Sequence, residues 1–175
     1  MANTMVLISA VTVGAGGAAS IDFTSIPSTY TDLVVKLSVR ADAAYTRRII
    51  GVKFNGSTTT SDYSVLDLRT TDGSTVNASL EATSPYMQTW DTTAASATSS
   101  TFASVDYYIS NYSSSSQYKA VNIMGAAENN ATGATVAAQA GLYKQNTTVS
   151  SLAFAPGNGN WVQYSTAYLY GISKS

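Results

Sequence analysis

The sequence predicts an all-β protein, an antiparallel sandwich or barrel of about ten short strands in a single domain spanning 1–175. Three observations predict it. Apolar and polar residues alternate with a period of two almost throughout, which is the signature of half-buried strands. Turn dipeptides and Gly/Ser/Thr runs punctuate the alternation at short intervals. No stretch combines a helical period with caps, and "GATVAAQAGL" is the only segment where a short helix competes with a strand.

The elements follow in order. "MVLISAVTV" reads as a strand running into a glycine turn at Gly14, Gly16 and Gly17, and "SIDF" as a second, short strand. In "YTDLVVKLSVR", Leu33, Val35, Leu37 and Val39 share one face, leaving Asp32, Lys36, Ser38 and Arg40 for the other. "RRIIGVKF" aligns Arg48, Ile50, Val52 and Phe54, and Asn55–Gly56 supplies two residues that accept positive φ in a tight turn. "YSVLDLRT" alternates Leu66 and Leu68 with Asp67 and Arg69 before an Asp72–Gly73 turn. "TFASVDYYIS" sets Val105, Tyr107 and Ile109 against Asp106 and Ser110. "QYKAVNIMG", "GATVAAQAGLY", "TVSSLAFAP" and the closing aromatic segment complete the set. The runs "NGSTTTSDYS", "DTTAASATSS" and "NYSSSSQ" read as Ser/Thr loops, long enough to cluster at one end of a sandwich and present a surface.

Composition narrows the function classes. Charged residues make up 11% of the chain, against about 25% in an average protein, and the net charge is −1. Arg47–Arg48 is the only adjacent basic pair, and consecutive strand residues point to opposite faces. Such a surface has little field for DNA or an anionic membrane, so neither is expected as a partner. Hydrophobic residues at 45% and aromatics at 10% argue against disorder. A nearly neutral surface favours association with copies or partners. With no cysteine, a disulfide scaffold is excluded. The amino end has no Lys or Arg before its apolar run, so a strand is expected there in place of a secretory signal. A secreted sandwich domain would need that end to be a cleaved signal.

Chemistry is sparse. With neither histidine nor cysteine, His-based triads, thiol nucleophiles and ordinary zinc sites cannot be built, and no enzyme activity or cofactor is expected. A carboxylate pair about 5–10 Å apart remains formally open. Asp67 and Asp106, however, alternate with apolar neighbours and are expected on the outward face, and Glu128 sits in loop-like "AAENNATG". Glu128 with Asn129 and Asn130, and Asp72 before Gly73, offer oxygen ligands. Neither set matches a calcium loop, and turn chemistry is the expectation for both. "GAGG" and "GNGN" are turns with no helix behind them to cradle a phosphate. Sequons at Asn55, Asn77, Asn111, Asn130 and Asn146 follow from the abundance of Ser and Thr, and glycosylation is not expected. No catalytic, cofactor-binding or metal-binding residue is assigned.

The aromatics allow two roles. Tyr107, Tyr108, Tyr118, Tyr143, Tyr164, Tyr168 and Tyr170 suit either packing at sheets and interfaces or platforms for sugar rings. Trp161, after a Gly-rich turn at the start of the last strand, is expected to cap the core. Trp90, in loop-like "YMQTWDTT", is expected at an exposed contact.

The closing segment "GNWVQYSTAYLYGI" (159–172) resembles the C-terminal signature of a group of small virion proteins of tailed bacteriophages. In that group a Gly-Asn-aromatic-Val turn leads into a final Ser-Thr-Ala-x-Leu-Tyr-Gly-Ile strand. "SIPSTYTDLVVKLSVR" (25–40), "VKFNGSTTTSDYSVLDLR" (52–69), "AAENNATGATVAAQAGLY" (126–143) and "SSLAFAPGNGN" (150–160) agree in order, so the resemblance covers most of the chain. Tyr168 departs from the pattern, which has a small β-former such as Thr there. The resemblance implies a jelly-roll sandwich on the outer surface of the virion, as a head decoration (cement) protein or a tail-associated component. A small chain starting at Met1, with neither coiled-coil shaft nor β-helix, leads us to expect a decoration protein. Its implied partners are the major capsid protein or other virion proteins, and copies of itself, as a homotrimer. The alternative it leaves is a tail-fibre module that binds host-surface carbohydrate.

Overall fold

The structure is a computed structural model, and it describes residues 4–70, 73, 75–128 and 134–173. Twelve strands lie within those residues: β1 (Met5–Thr12), β2 (Ile21–Phe23), β3 (Asp32–Val39), β4 (Arg47–Phe54), β5 (Tyr63–Thr70), β6 (Val76–Glu81), β7 (Met87–Thr93), β8 (Ala103–Ile109), β9 (Lys119–Glu128), β10 (Ala134–Tyr143), β11 (Leu152–Pro156) and β12 (Thr166–Ile172). A 3-10 turn at Thr60–Asp62 is the only helical segment among the described residues. The segment "GATVAAQAGL", open to either state in sequence, is strand β10 from Ala134 onward. β6 and β7 are the two strands beyond the expected ten.

Eight strands form one antiparallel sheet in the order β1-β12-β3-β8-β9-β10-β5-β6, and four form the other, β2-β11-β4-β7. The pairing is nested. β1 pairs with β12, β2 with β11, β3 with β8 and β4 with β7, as if one long hairpin had been rolled up. That nesting, split over two facing sheets, is a jelly roll. The four remaining strands are insertions: β5 and β6 fall between β4 and β7, and β9 and β10 between β8 and β11. All four extend the larger sheet beyond β8.

The core lies where the two sheets face each other. Leu33, Val35, Leu37 and Val39 of β3 are buried, as the alternation predicts, against Ile50, Val52 and Phe54 of β4. Burying each such side chain contributes about 1.5–3 kcal/mol. Phe54, Tyr63 and Tyr143 stack at one end of the core, with Phe54 and Tyr143 rings 4.9 Å apart. Trp161 caps the other end, fully buried, with its indole N–H donated to the Phe154 carbonyl at 2.9 Å. It makes isolated bridges to Ala18 and Ala41, and the last strand begins only at Thr166. Tyr164 therefore sits in the preceding turn, exposed at φ 71°.

Of two sequence expectations about loops, one holds and one needs correcting. Asn55 and Gly56 do adopt positive φ (50° and 68°), and the Ser57 N–H closes the turn on the Phe54 carbonyl at 3.0 Å. The turn passes the chain from the smaller sheet to the larger and does not make a hairpin. Its Asn55 side chain accepts from the Ser150 N–H (2.8 Å) and donates to the Thr148 carbonyl (2.8 Å), tying down the loop before β11. The Ser/Thr runs do not gather at one end. The loops following β4 and β8 share an end, and the one preceding β8 is at the opposite end, because β8 runs the length of the sheet between them.

Arg40, expected on the solvent side of β3, is buried instead. It stands just past the strand end, where the alternation stops governing its direction. Its Nη1 donates to the carbonyls of Thr98 and Thr101, both at 2.8 Å, and its Nη2 to those of Ala95 and Ala97 at 3.3 and 3.1 Å. One guanidinium fork thus satisfies four carbonyls of a loop that has no ladder of its own. Arg40→Met should lower stability by about 1–3 kcal/mol, because the Ala95 and Ala97 carbonyls lose their side-chain donor. Urea unfolding of the variant measures this.

Burial also raises the hydroxyl pKa of Tyr63, Tyr112 and Tyr143, hydrogen bonds offsetting part of the effect. Folding favours their protonated forms. The stability they contribute is intact below the unfolded tyrosine value near 10 and drains away as pH climbs through the higher folded values. Burial of Lys119 lowers its pKa and acts in the opposite sense, but that contribution is complete by about pH 10.4. The thermal midpoint should therefore fall steeply above about pH 10, and less steeply in Tyr63→Phe.

Candidate interaction surface

One inserted strand, β5, reverses the expected facing. In β5, Asp67 is buried, whereas Leu66 and Leu68 point to solvent. The period-two reading was right and the choice of face was wrong. Asp106, by contrast, lies outward as expected, with its Oδ2 2.6 Å from Lys36 Nζ.

The inner face of the insertion explains the reversal. Asp67 Oδ2 accepts from Arg69 Nη1 at 2.5 Å, and the Arg69 guanidinium lies 4.0 Å from the centroid of the Trp90 ring. Gln139, directly across from Asp67 on β10, accepts the Trp90 backbone N–H at 3.2 Å. Arg47 of β4 reaches Thr135 of β10. Burial pushes the Asp67 carboxyl above its ordinary pKa, while the Arg69 charge and nearby hydrogen-bond donors pull it back. The polar side chains of the insertion are thus gathered beneath β7. Trp90 is half-buried in β7, not in an exposed loop as its sequence suggests.

The outer face is apolar in consequence. Strand register sets its side chains in rows. One runs Leu80, Leu66, Ala140 and Asn122 across β6, β5, β10 and β9, and the next runs Ala78, Leu68, Ala138 and Met124. A third runs Val76, Thr70, Val136 and Ala126. Leu66, Leu68, Met124, Val76 and Leu80 are 56, 51, 55, 66 and 69% exposed. Four strands and three rows span roughly 14 by 14 Å between the outermost Cα positions. That is about 200 Å² between Cα positions, and with the side chains at its margins it approaches the size of the largest apolar patch on an ordinary monomer, which is often functional. No charged residue falls in these rows. Charge returns only at the Asp106–Lys36 pair, where the surface changes to a shallow polar groove lined by Ser38, Ser104, Thr166, Tyr168 and Tyr170.

The acids considered for chemistry are kept apart. Asp67 and Asp106 lie on opposite faces of one sheet, and Glu128 accepts from the Thr98 N–H (3.0 Å) and hydroxyl (2.9 Å) at the end of the sandwich. Asp72, Asn129 and Asn130 lie outside the described residues. Among the described residues, no group of three or more acids could hold a metal ion. The tyrosines divide between roles: Tyr107 and Tyr143 are core, and Tyr118, Tyr164 and Tyr168 are exposed. Tyr108 is partly exposed and donates to Asp32 Oδ2 at 2.6 Å.

No protein-family model and no curated protein sequence matches the chain. Among solved structures, the galectin LEC-6 of Caenorhabditis elegans is similar over 94% of this chain and 96% of its own, at 11% identity and a TM-score of 0.35. Overlap at that level places no residue of one chain on a residue of the other.

The inverted facing makes a direct prediction. Leu68→Ser, on the outward row, should change stability by no more than about 0.5 kcal/mol. Leu33→Ala, in the core, should cost about 2–5 kcal/mol. Paired urea titrations of the two variants measure the difference.

Proposed function

We propose that this chain is a structural protein of a tailed-phage particle, without enzyme activity, that decorates the outer surface of the assembled head in many copies. The observation that carries this reading is the apolar outer face of the insertion: β5, β6, β9 and β10 present Leu66, Leu68, Val76, Leu80, Met124 and Val136 to solvent, while Asp67, Arg69 and Gln139 lie beneath them. A face with that composition is stabilised by being covered. The resemblance of 159–172 and the preceding segments to small virion proteins supplies the setting, and the jelly-roll nesting agrees with it. The partner is the major capsid protein, with three copies of this chain acting together. Neither nucleic acid nor membrane takes part.

The mechanism is linkage. A protein that binds only the assembled lattice stabilises it by RT ln(1 + [L]/Kd) per site, about 2.7 kcal/mol at a hundredfold excess over Kd. Joined copies that touch several capsomers gain further through effective concentration. Because the contact is apolar, binding depends little on salt. In a sedimentation assay with heads lacking the protein, the wild type should bind equally at low and moderate salt, and Leu66→Ser/Leu68→Ser should not bind. Release by modest salt, or unimpaired binding of the variant, would overturn the reading. A tail-associated module binding carbohydrate is the second reading, favoured by the exposed Tyr168 and half-buried Tyr170 among hydroxyl side chains. Immunogold labelling of particles separates the two.

A further inference from the structure

The far side of the sandwich carries a feature that neither attachment nor core packing uses. On the outer face of β2, β11 and β4, a cleft of about 380 Å³ is lined by Ser20, Asp22, Gly51, Lys53 and Tyr86, with Ala153, Ala155, Pro156 and Gly157 completing it. That volume is within the range of small-molecule sites. Its floor has almost no side chains. Register places Asp22, Ala153 and Lys53 in one row across three strands, and Ala155 beside Gly51 in the next. The wall is aromatic. A Cβ on Gly51 would meet the Tyr86 ring at 3.0 Å, so the absence of a side chain there lets the ring lie down on the sheet.

The polar groups are spare. The Ser20 hydroxyl donates to Asp22 Oδ2 at 2.7 Å and fixes the carboxylate. Among the described residues, Asp22 Oδ1, Lys53 Nζ and the Tyr86 hydroxyl have no hydrogen-bond partner of their own. Asp22 and Lys53 stand two strands apart, about 9–10 Å, too far for a direct ion pair between their backbone positions to close without both side chains folding over Ala153. An acceptor and a donor thus flank an apolar floor beside an aromatic ring.

We propose that this cleft binds a neutral saccharide. Vicinal hydroxyls both donate and accept, so they match a carboxylate on one side and an ammonium on the other. The C–H face of a sugar ring matches the Ala/Gly floor and the tyrosine ring. Opposite charges on the two flanks disfavour an anion as much as a cation, and so select against acidic glycans and phosphates. The site deepens the second reading above and is independent of the first. Attachment through the larger sheet leaves the smaller sheet's outer face directed away from the particle.

The test uses the full chain on an array of neutral and acidic glycans, followed by titration with the best-retained neutral glycan. Retention of one or more neutral glycans is expected, with affinity reduced about tenfold or more by Asp22→Ala, by Lys53→Met and by Tyr86→Ala. Asp22→Asn, which keeps the shape of the side chain, guards against a folding artefact, and Leu66→Ser/Leu68→Ser should leave glycan binding unchanged. Retention of no glycan, of acidic glycans only, or of neutral glycans equally by all three cleft variants would overturn the proposal. So would the finding that cleft variants convert a dimer to monomer, which would make the cleft a contact between copies. Head binding and glycan binding are read on opposite faces by different variants, so failure of one does not mimic failure of the other.

Discussion

The constraint behind this architecture is unequal width: eight strands on one side of the sandwich and four on the other. A narrow sheet cannot cover a wide one. Over β12, β3 and β8 the inward side chains are buried against the smaller sheet, and the alternation of β3 and β8 resolves into apolar inside and polar outside. Over β9, β10, β5 and β6 the cover is β7 with the two ends of β4, Arg47 and Phe54. There the space between the layers holds, beside the aliphatic Val65, Val121 and Ile123, the polar side chains Asp67, Arg69 and Gln139 with Trp90, a cluster held by hydrogen bonds and a cation–π contact. Such a cluster is stable only while its members are paired, since a buried polar group without a partner costs more than a paired one contributes. The leucines of β5 and β6 are left with nowhere to go but outward.

Much of the fold was legible in the sequence because most strands are amphipathic and β-branched. Leu33, Val35, Leu37 and Val39 announced both the strand and its buried face, and Asn55–Gly56 announced a left-handed turn. β7 escaped notice for a physical reason. After Met87 its inward positions are filled by threonine, which looks like loop sequence. In the structure Thr89 donates to the Ile50 carbonyl and meets the Tyr107 hydroxyl at 2.7 Å, and Thr92 donates to the Val39 carbonyl. Threonine there has the shape of valine with its hydroxyl satisfied. A bulge where Arg48 and Ile49 pair with Thr92 and Trp90 further breaks the alternation.

The interaction surface was legible only in part. The pattern Leu66-Asp67-Leu68-Arg69 is identical whether the leucines face in or out, because a period of two carries no sign. The sign comes from tertiary contact, here from Arg69 meeting Trp90 across the layers. Arg40 teaches the same lesson at a strand end, where one residue beyond the last ladder pair the direction of a side chain is set by the loop it must satisfy. The cleft on the smaller sheet had still less signal. Gly51, Ala153 and Ala155 are informative only once register lays them side by side and Tyr86 is found lying over the glycine.

The nested pairing has a bearing on how the molecule is made. Met5 is hydrogen-bonded to the strand that ends at Ile172, and every further layer of the roll joins segments progressively nearer in the chain. During synthesis the inner turns can zip early, whereas β1 must wait, unpartnered, until β12 has left the ribosome. Folding of the sandwich is therefore completed from its middle strands outward, and β1 is the strand exposed longest to capture by chaperones or by neighbouring nascent chains.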